Sequence, residues 1–418
     1  MSKAVLDYIE SHWDGVIKEC REDKEDGTRT LYRLPYPFTI PAVGTFEELY
    51  YWDTYFTNPG LMIVGKEQLA KNNTDNVLFM IDRFGHMKNS NRFYHSGLGQ
   101  PPFASKMVRE TFDYYKDKTW LYGAYNTLKK EYNFWMTERM TEIGLNQYAG
   151  KNVDKSVEDK ADDFIRRACN GQIPEGKTLE QIVDHYMICC ESGWDCNPRW
   201  GFEGYNYVQV ELNSLLYDWE KNMAYFSEVL GMGEEQKWEK AAADRKALMY
   251  KYMLNEDGIL IDYNFVEKKH SKVFSSCSLY PLFVNMVEED IAKKSLELMK
   301  SKLETDYGLA SCEKNEFSDT HTFQWNYPIA WACQQHLAVK ALDNYGFKED
   351  AARVAAKYKK MVEKVYAETG QLWEKYNVVE GSNQVLSKER TASMPPMMGW
   401  TAAAYLTCKR YIEEGVIG

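Results

Sequence analysis

The chain has no excess of basic residues: 51 Lys and Arg stand against 62 Asp and Glu, which gives a net charge of −11. Nucleic acids and anionic membrane surfaces are bound through clustered positive charge, so neither is an expected partner. No apolar run approaches the roughly 20 residues that a transmembrane helix needs. The first residues also lack the apolar core of a secretory signal. We therefore expect neither a nucleic-acid-binding nor a membrane protein.

Cysteine pairs with metal-ligand spacing are also lacking. The nine cysteines are scattered from Cys20 to Cys408 without a CxxC pair. Scattered thiols are typical of a reducing compartment, so we expect a cytoplasmic location. No HExxH motif, EF-hand loop or Cys/His cluster occurs, and we expect no catalytic metal and no cofactor. Without Pro- or Ser-rich linkers, we expect one domain, 1–418.

What the sequence does contain is a helical period. Apolar residues fall on one face in Glu211–Leu230 and in Ala351–Glu368, and a glycine follows each segment closely. Thr74–Phe84 is a third case, with Thr74 as the expected N-cap. Strand signals are few and short, so we expect an all-α protein. Paired helices could close into an (α/α)6 toroid or extend as a solenoid, and periodicity alone does not choose between them.

Aromatic residues are abundant, with 12 Trp and 30 Tyr in 418 residues. They serve a large core equally well as a carbohydrate site, where aromatic faces stack on sugars, so composition leaves both roles open. The stretch 150–176 differs, because it is rich in charge and poor in large apolar groups. We interpret it as a polar insertion and a candidate lid, and not as a domain boundary.

Two acidic residues stand beside tryptophans in loop segments. Asp195 follows Trp194 in ESGWDCNPRW, and Glu374 follows Trp373 in QLWEKYNV. A turn aspartate is commonly a helix cap. A glutamate beside a lysine in a loop, as Glu374 is beside Lys375, is ordinarily a solvated charge. An aromatic wall would instead raise the pKa of a carboxyl, as a general acid needs. Glycoside hydrolysis requires two carboxyl groups flanking the scissile bond, so these residues permit that chemistry without proving it.

Five segments in order resemble the trehalases, glycoside hydrolase family 37, and their relatives in family 63. They are PAVGTFEELYYWDTYF, NSNRFYHSGLGQPPF, ESGWDCNPRW, FQWNYPIAW and LWEKYNV, and the resemblance covers about 35–400. It implies an (α/α)6 barrel with short β-hairpins and long loops. It also implies an inverting mechanism with Asp195 as general acid and Glu374 as general base.

By position, the resemblance implies a set of further side chains that line the sugar pocket. These are Phe46, Tyr51, Trp52, Asp53, Asn91, Arg92, Gln100, Trp194, Gln324, Trp325, Asn326 and Trp400. Asp53 would bind two sugar hydroxyls and Trp52 would form a wall. Core packing between helices is the alternative role for each tryptophan.

The chain departs from the family pattern at several polar anchors. Thr45 and Leu98 stand where trehalases have arginines, Asn326 stands for the signature aspartate, and LNQYAGKNVD lacks the family's Arg-Pro-Glu-Ser segment. Arginine offers forked donors that Thr or Leu cannot replace. We therefore expect an inverting, exo-acting α-glycosidase whose substrate is a small α-glucoside or α-linked disaccharide other than trehalose.

Alternatives remain for the activity. Contacts from 150–176 or 380–398 would compensate for the missing arginines and allow α,α-trehalase activity. A sugar epimerase of the same fold, or a carbohydrate-binding protein without turnover, would also keep the pocket. Epimerases rely on paired histidines, and none of the seven histidines falls in the Trp-Asp or Trp-Glu segments. The expected partner is a small carbohydrate in every case, and the sequence indicates no oligomeric state.

Overall fold

Helices account for most of the protein, and its strands are two or three residues long. The computed structural model describes residues 2–24, 30–93, 97–149, 162, 164–166, 168–385 and 399–417. The expectation of a mainly helical protein is confirmed over these ranges. Within them, no helix has both the length and the apolar character that crossing a lipid bilayer requires.

The helices follow one another along the chain, mostly as hairpins. In order they are α1 (Ser2–His12), α2 (Tyr51–Ile63), α3 (Glu67–Phe84), α4 (Ala104–Tyr115), α5 (Lys118–Glu138), α6 (Leu179–Ser192), α7 (Val210–Leu230), α8 (Glu235–Met253), α9 (Tyr280–Phe283), α10 (Glu289–Leu298), α11 (Ala332–Asn344), α12 (Lys348–Thr369) and α13 (Gly399–Glu414).

Helix contacts close an inner ring. α4 packs on α7, α7 on α9, α9 on α11 and α11 on α13, and α13 packs on α2 near the start of the chain. α3, α8 and α12 pack against α2, α7 and α11, the inner helices that precede them. An open solenoid would leave its first and last helices apart, whereas here they are neighbours. The arrangement is therefore the (α/α)6 toroid, with α6 as an additional helix between two hairpins.

Burial distinguishes the two rings. α7 and α13 are buried around most of their circumference, as helices at the centre of a large protein are. α12 instead buries one stripe that includes Val354, Tyr358, Met361 and Val365. The periodicity of the sequence predicted both α7 and α12, and both predictions are confirmed.

The predicted start of α3 is wrong. The helix begins at Glu67, and Thr74 lies inside it, where its hydroxyl donates to the carbonyl oxygen of Ala70 at 3.2 Å. Leu69 and Ala70 extend the buried face toward the N-terminus, so packing continues the helix beyond the candidate cap. The predicted end is confirmed, since Gly85 adopts a left-handed conformation directly after Phe84.

Short antiparallel strand pairs connect the loops. They are β1 (Ile17–Lys18) with β2 (Phe38–Thr39), then β3 (Tyr207–Val208), β4 (Tyr263–Asn264) and β5 (Lys269–His270), then β6 (Glu304–Thr305) with β7 (Gly308–Leu309), and β8 (Ile329–Trp331) with β9 (Lys375–Asn377). In the last pair Trp331 lies opposite Lys375. This register brings together two segments that are far apart in the sequence and that both carry candidate site residues.

The polar insertion is described in part, since 150–161, 163 and 167 lie outside the described residues. Its described portion contributes Phe164 and Cys169 to a buried cluster with Cys196 and Phe323. The insertion therefore packs beside ESGWDCNPRW, and its role as a lid stays a prediction. The other suggested source of contacts, 380–398, is described only as far as 385.

We expect Gly60→Ala to destabilise the protein, because α2 and α13 approach closely there. A Cβ atom at Gly60 would lie 2.6 Å from the Cα and Cβ atoms of Ala403. Overpacking a core costs about 1–3 kcal/mol, which exceeds the gain of about 1 kcal/mol in helix propensity. Urea unfolding followed by circular dichroism measures the change.

The matched control is Gly123→Ala on the exposed face of α5, where an added Cβ meets nothing within 4 Å. It should stabilise the protein slightly, because only helix propensity changes. Equal shifts in the same direction for both variants would contradict the close approach at Gly60.

Candidate active site

Carboxyl groups from three distant segments meet in one site: Asp53 in the first turn of α2, Asp195 after α6, and Glu374 before β9. The charges of Glu374 and Asp195 both raise the pKa of Asp53, an influence that requires proximity. Asp195 is the one residue within Glu191–Trp200 that is only half-buried, and Asp53 has the same distinction within Tyr51–Leu61. A carboxyl that stays partly accessible among buried neighbours can contact a ligand.

Asp53 has the most strongly altered acidity of the three. Burial raises the pKa of its carboxyl to about 8, a backbone hydrogen bond opposes that shift, and the charges of Glu374 and Asp195 add to it. Near neutral pH the group is therefore largely protonated. A protonated carboxyl donates one hydrogen bond and accepts others, which suits recognition of sugar hydroxyls. In the described ranges no group of His, Cys, Asp and Glu has the arrangement of a metal site.

Asp195 lies on a turn, as its sequence predicts. α6 ends at Ser192, and Gly193 follows with φ of +74°. A Cβ atom on Gly193 would also lie 2.6 Å from the ring of Trp52. Glycine is therefore required twice, for the left-handed backbone and for the approach of the indole. Trp52, which precedes Asp53 on α2, therefore packs against the turn that carries Asp195.

Arg199 anchors the same turn from within the protein. Its guanidinium is buried and donates to Glu211 (Nη1–Oε1 3.0 Å) and to Asp262 (Nε–Oδ2 2.9 Å). The guanidinium carbon lies 4.9 Å from the ring centre of Trp194 and 4.7 Å from that of Trp200. A planar fork stacked on indoles and paired with two carboxylates has little freedom to move. Sequence analysis missed Arg199, because its partners lie far along the chain.

A cluster of tryptophans borders the carboxyl groups: Trp52, Trp194, Trp325, Trp331 and Trp400, each at most 3% exposed. Trp325 stacks on Trp331 with ring centres 4.0 Å apart and on Trp194 at 4.9 Å. Trp52 meets Trp400 edge to face at 5.7 Å. Most of each indole surface is used for packing among these rings, so only small parts can face a sugar. The sequence named four of the five, and Trp331 is the addition.

Glu374 is 7% exposed and is paired with a neighbour that the sequence did not single out. The ammonium of Lys375 donates to Glu374 Oε2 at 2.9 Å and to Gln324 Oε1 at 3.2 Å. Gln324 Nε2 donates in turn to Asp195 Oδ2 at 3.3 Å. Lys375 is only 1% exposed, so the alternative of a solvated loop charge is wrong. The available signal was the apolar and aromatic context of LWEKYNV.

Asn91 and Gln100 use their side-chain amides to hold the backbone near α2. Gln100 Oε1 accepts from the amide of Trp52 at 3.2 Å. Asn91 Oδ1 accepts from the amide of Leu49, and its Nδ2 donates to the carbonyl of Tyr32, both at 2.9 Å. These bonds orient the start of the helix that carries the Trp-Asp pair, and a direct sugar contact of either residue remains a prediction.

Four further residues that were predicted to line the pocket are engaged inside the protein. Their partners are Glu131 for Tyr51 (3.1 Å), Glu48 for Arg92, Tyr50 for Phe46 (ring centres 5.9 Å apart) and Asn315 for Asn326 (2.7 Å). The structure thus ties all four to the framework around the carboxyl groups. Direct contact with a sugar stays a prediction for each.

The family described as Trehalase has a model that matches residues 2–412. This chain belongs to the trehalase family. It is therefore a glycoside hydrolase, as the sequence predicted, and its substrate is a small carbohydrate.

Similar proteins include periplasmic trehalases of Xanthomonas. That of Xanthomonas oryzae pv. oryzae is 26% identical over 395 residues, which cover 90% of this chain and 68% of the relative. The neutral trehalase of Saccharomyces cerevisiae has a TM-score of 0.77 at 26% identity, and the match covers 98% of this chain and 80% of the yeast chain. A family 63 mannosylglycerate hydrolase from Thermus thermophilus shares the fold, with a TM-score of 0.64 at 16% identity over 97% and 98% of the two chains. The predicted resemblance and toroid fold are confirmed.

The predicted cytoplasmic location is wrong, because the similar Xanthomonas proteins are periplasmic trehalases. That prediction rested on scattered unpaired thiols. All nine cysteines lie in the described part of the chain, none of them forms a disulfide bond, and eight are buried. A buried thiol is shielded from oxidation and exchange, so the lack of a disulfide bond does not report the redox compartment.

Asp53→Asn should stabilise the trehalase-family fold at pH 8 and have little such effect at pH 4. The pKa of Asp53 is raised from 3.8 to about 8 in the folded protein. Between these two pH values the folded state binds more protons than the unfolded state, so the free energy of unfolding falls as the pH rises from about 4 to about 8. Asparagine does not titrate, and we expect a gain of about 1 kcal/mol or more at pH 8. Urea unfolding at both pH values measures it.

Asp7→Asn, at an exposed site on α1, provides the control for that experiment. Its effect should be small at both pH values. A stability change for Asp53→Asn that is the same at pH 4 and pH 8 would contradict the raised pKa.

Arg199→Met should lower the free energy of unfolding by about 3–5 kcal/mol, because Glu211 and Asp262 would remain buried without a cation. Arg410→Met is the control, since it removes an exposed pair with Glu414 and should cost less than about 1 kcal/mol. Urea unfolding of both variants provides the comparison. Similar losses for the two would show that Arg199 does not anchor the turn.

Proposed function

We propose that this chain hydrolyses the α-glucosidic bond of a small α-linked glucoside with inversion, in one catalytic domain spanning 1–418. Asp195 is the general acid and Glu374 is the general base. The observation that carries the proposal is that these two carboxyls, from loops far apart in sequence, are connected through Gln324 and Lys375 beside a third carboxyl, Asp53.

In this mechanism Asp195 protonates the glycosidic oxygen while Glu374 deprotonates a water molecule. The water attacks the anomeric carbon from the face opposite the leaving group, which inverts its configuration. Inverting enzymes hold the two carboxyls about 6.5–9.5 Å apart, so that this water fits between base and sugar. Two side chains intervene between Asp195 and Glu374, which supports the wider, inverting separation.

Glucose is the sugar that we propose for the non-reducing side of the bond. Asp53 offers a donor and acceptors to adjacent hydroxyls, since its pKa of about 8 keeps it largely protonated near neutral pH. Trp52 on the same helix turn supplies an apolar face. Asp53 lies on an inner helix of the toroid, so a sugar that reaches it would end there. This supports exo-acting cleavage of a terminal residue.

α,α-Trehalose is the first substrate to test, because the Xanthomonas and yeast relatives are trehalases. The expectation that trehalose is not cleaved has no support in these comparisons. A different small α-glucoside is the second candidate, and two positions favour it. Thr45 is exposed, and Leu98 packs with Val183 and Met187. Neither provides the forked donors of the arginines that trehalases have at these positions.

Proton NMR of hydrolysis tests the proposal directly. With trehalose, we expect wild-type enzyme to release β-glucose and α-glucose in equal amounts, because only the attacked glucose inverts and the leaving glucose keeps its α configuration. With other small α-glucosides, the glucose of the non-reducing side should appear first as the β anomer. Asp195→Asn and Glu374→Gln should each reduce kcat by about 10²–10⁴-fold, the usual contribution of a general acid or base. Glu349→Gln, an exposed change in the first turn of α12, is the control and should keep wild-type activity.

Each outcome of this experiment has a consequence for the proposal. Initial release of only α-glucose from trehalose, or of α-glucose from the non-reducing side of another α-glucoside, would contradict inversion. Near-wild-type activity of either carboxyl variant would contradict the assignment of acid or base. Turnover of another α-glucoside but not of trehalose would select the second candidate. Release of no monosaccharide from any compound would favour the binding-protein or epimerase alternatives.

A further inference from the structure

A hydrogen-bonded bridge joins the two proposed catalytic carboxyls. It runs from Glu374 Oε2 to Lys375 Nζ (2.9 Å), from Lys375 Nζ to Gln324 Oε1 (3.2 Å), and from Gln324 Nε2 to Asp195 Oδ2 (3.3 Å). We propose that Lys375 and Gln324 are positioning residues, which hold acid and base as one unit and select the oxygen of Asp195 that carries the proton. This inference rests on the acid and base roles proposed above.

Chemistry determines the direction of every bond in the bridge. An ammonium group only donates, so the side-chain oxygen of Gln324 must face Lys375. The amide nitrogen of Gln324 then faces Asp195 and donates to Oδ2. A carboxyl oxygen that accepts this bond is the poorer place for the acidic proton, so the proton of Asp195 resides on Oδ1. The charge of Lys375 therefore orients the acid, although the two groups are not in contact.

Trp331 supports both bridge residues. The ammonium of Lys375 lies 4.6 Å from the centre of the Trp331 ring. Trp331 Nε1 donates to the backbone carbonyl of Gln324 at 3.0 Å. Trp331 also lies opposite Lys375 in the β8–β9 register. The ion pair with Glu374 and the indole face together offset the loss of hydration of a buried ammonium.

A backbone contact runs parallel to the side-chain bridge. The amide of Trp325 donates to the carbonyl of Cys196 at 3.0 Å, which joins the neighbours of Gln324 and Asp195 in the sequence. Backbone hydrogen bonds therefore connect the turn that carries Asp195 to the segment before β8, and β8 to β9. The side-chain bridge then sets the orientation of the two carboxyls. A misplacement of about 1 Å at such groups costs on the order of 10²-fold in rate.

Kinetics can separate positioning from the other roles that these residues could have. If Gln324 only contacted the sugar, its loss would chiefly raise KM. If Lys375 were only a core ion pair, its loss would lower thermal stability without changing the turnover of the folded enzyme. Loss of a positioning residue that acts through the carboxyls lowers kcat instead. If two such residues belong to one bridge, removing the second after the first lowers kcat little further.

The experiment compares Lys375→Met, Gln324→Leu and the double variant, all close to the original side-chain volumes. With the best α-glucoside from the panel, each single variant should lower kcat by about 10²-fold and change KM by less than about threefold. The double variant should fall no more than a few-fold below either single variant. Lys360→Met is the matched control, because it removes an exposed ammonium 4.6 Å from the Tyr307 ring and should keep wild-type kcat.

Gln324→Glu provides an independent readout, the pH dependence of kcat/KM, which remains available even if Lys375→Met fails to fold. It keeps an acceptor for Lys375 but turns a carboxylate toward Asp195, where an added negative charge favours the protonated acid. Lys375, which donates to Gln324, is unchanged in this variant, and so are Asp53 and Cys189, whose pKa values the charge of Asp195 raises. We expect lower kcat and an alkaline limb of the kcat/KM profile that moves to higher pH.

If the losses of kcat in the two single variants multiply to about 10⁴-fold in the double variant, the bridge is overturned. A raised KM with unchanged kcat in the single variants would overturn it as well. An unmoved alkaline limb in Gln324→Glu would overturn the selection of the Asp195 oxygen. Asp195→Asn and Glu374→Gln, measured alongside, test the underlying roles separately. If they stay active, the proposed function fails; if they are inactive while the bridge variants keep near-wild-type kcat, only the bridge fails.

Discussion

The hydrogen bond from the amide of Trp325 to the carbonyl of Cys196 joins the turn that carries Asp195 to the segment that leads into β8. β8 pairs with β9, which begins directly after Glu374. Loops of a helical toroid extend from the ends of separate helices, and the toroid alone does not fix the position of one loop relative to another. Here main-chain bonds couple two of them, so the separation of the carboxyls depends on backbone geometry more than on flexible side chains.

Around this joint the protein buries several ionisable groups, and each avoids an isolated charge in a different way. Arg199 is paired with two carboxylates and stacked on two indoles. Lys375 is paired with Glu374 and covered by Trp331. Asp53 is instead largely protonated near neutral pH, because desolvation raises its pKa to about 8. A buried charge without compensation is costly, so the pattern follows from placing a polar site inside a dense aromatic core.

The tryptophan cluster links packing to the site. Trp325 lies between Trp194 and Trp331, so the turn that carries Asp195 and the strand opposite Lys375 press on the same ring. Gly193 allows Trp52 to approach this group from α2. The indoles therefore pack as part of the core directly beside the carboxyl groups.

Sequence alone determined the helical architecture, because a buried stripe repeats at every turn and a glycine ends α7 and α12 whatever lies around them. Ordered motifs also determined the family and singled out Asp195 and Glu374. The closure of the ring, the start of α3 and the buried pairings of Arg199 and Lys375 were decided only by tertiary structure. A basic side chain is read from sequence as a surface group unless its partners are known, and the partners of both residues include groups on loops or helices distant in the chain.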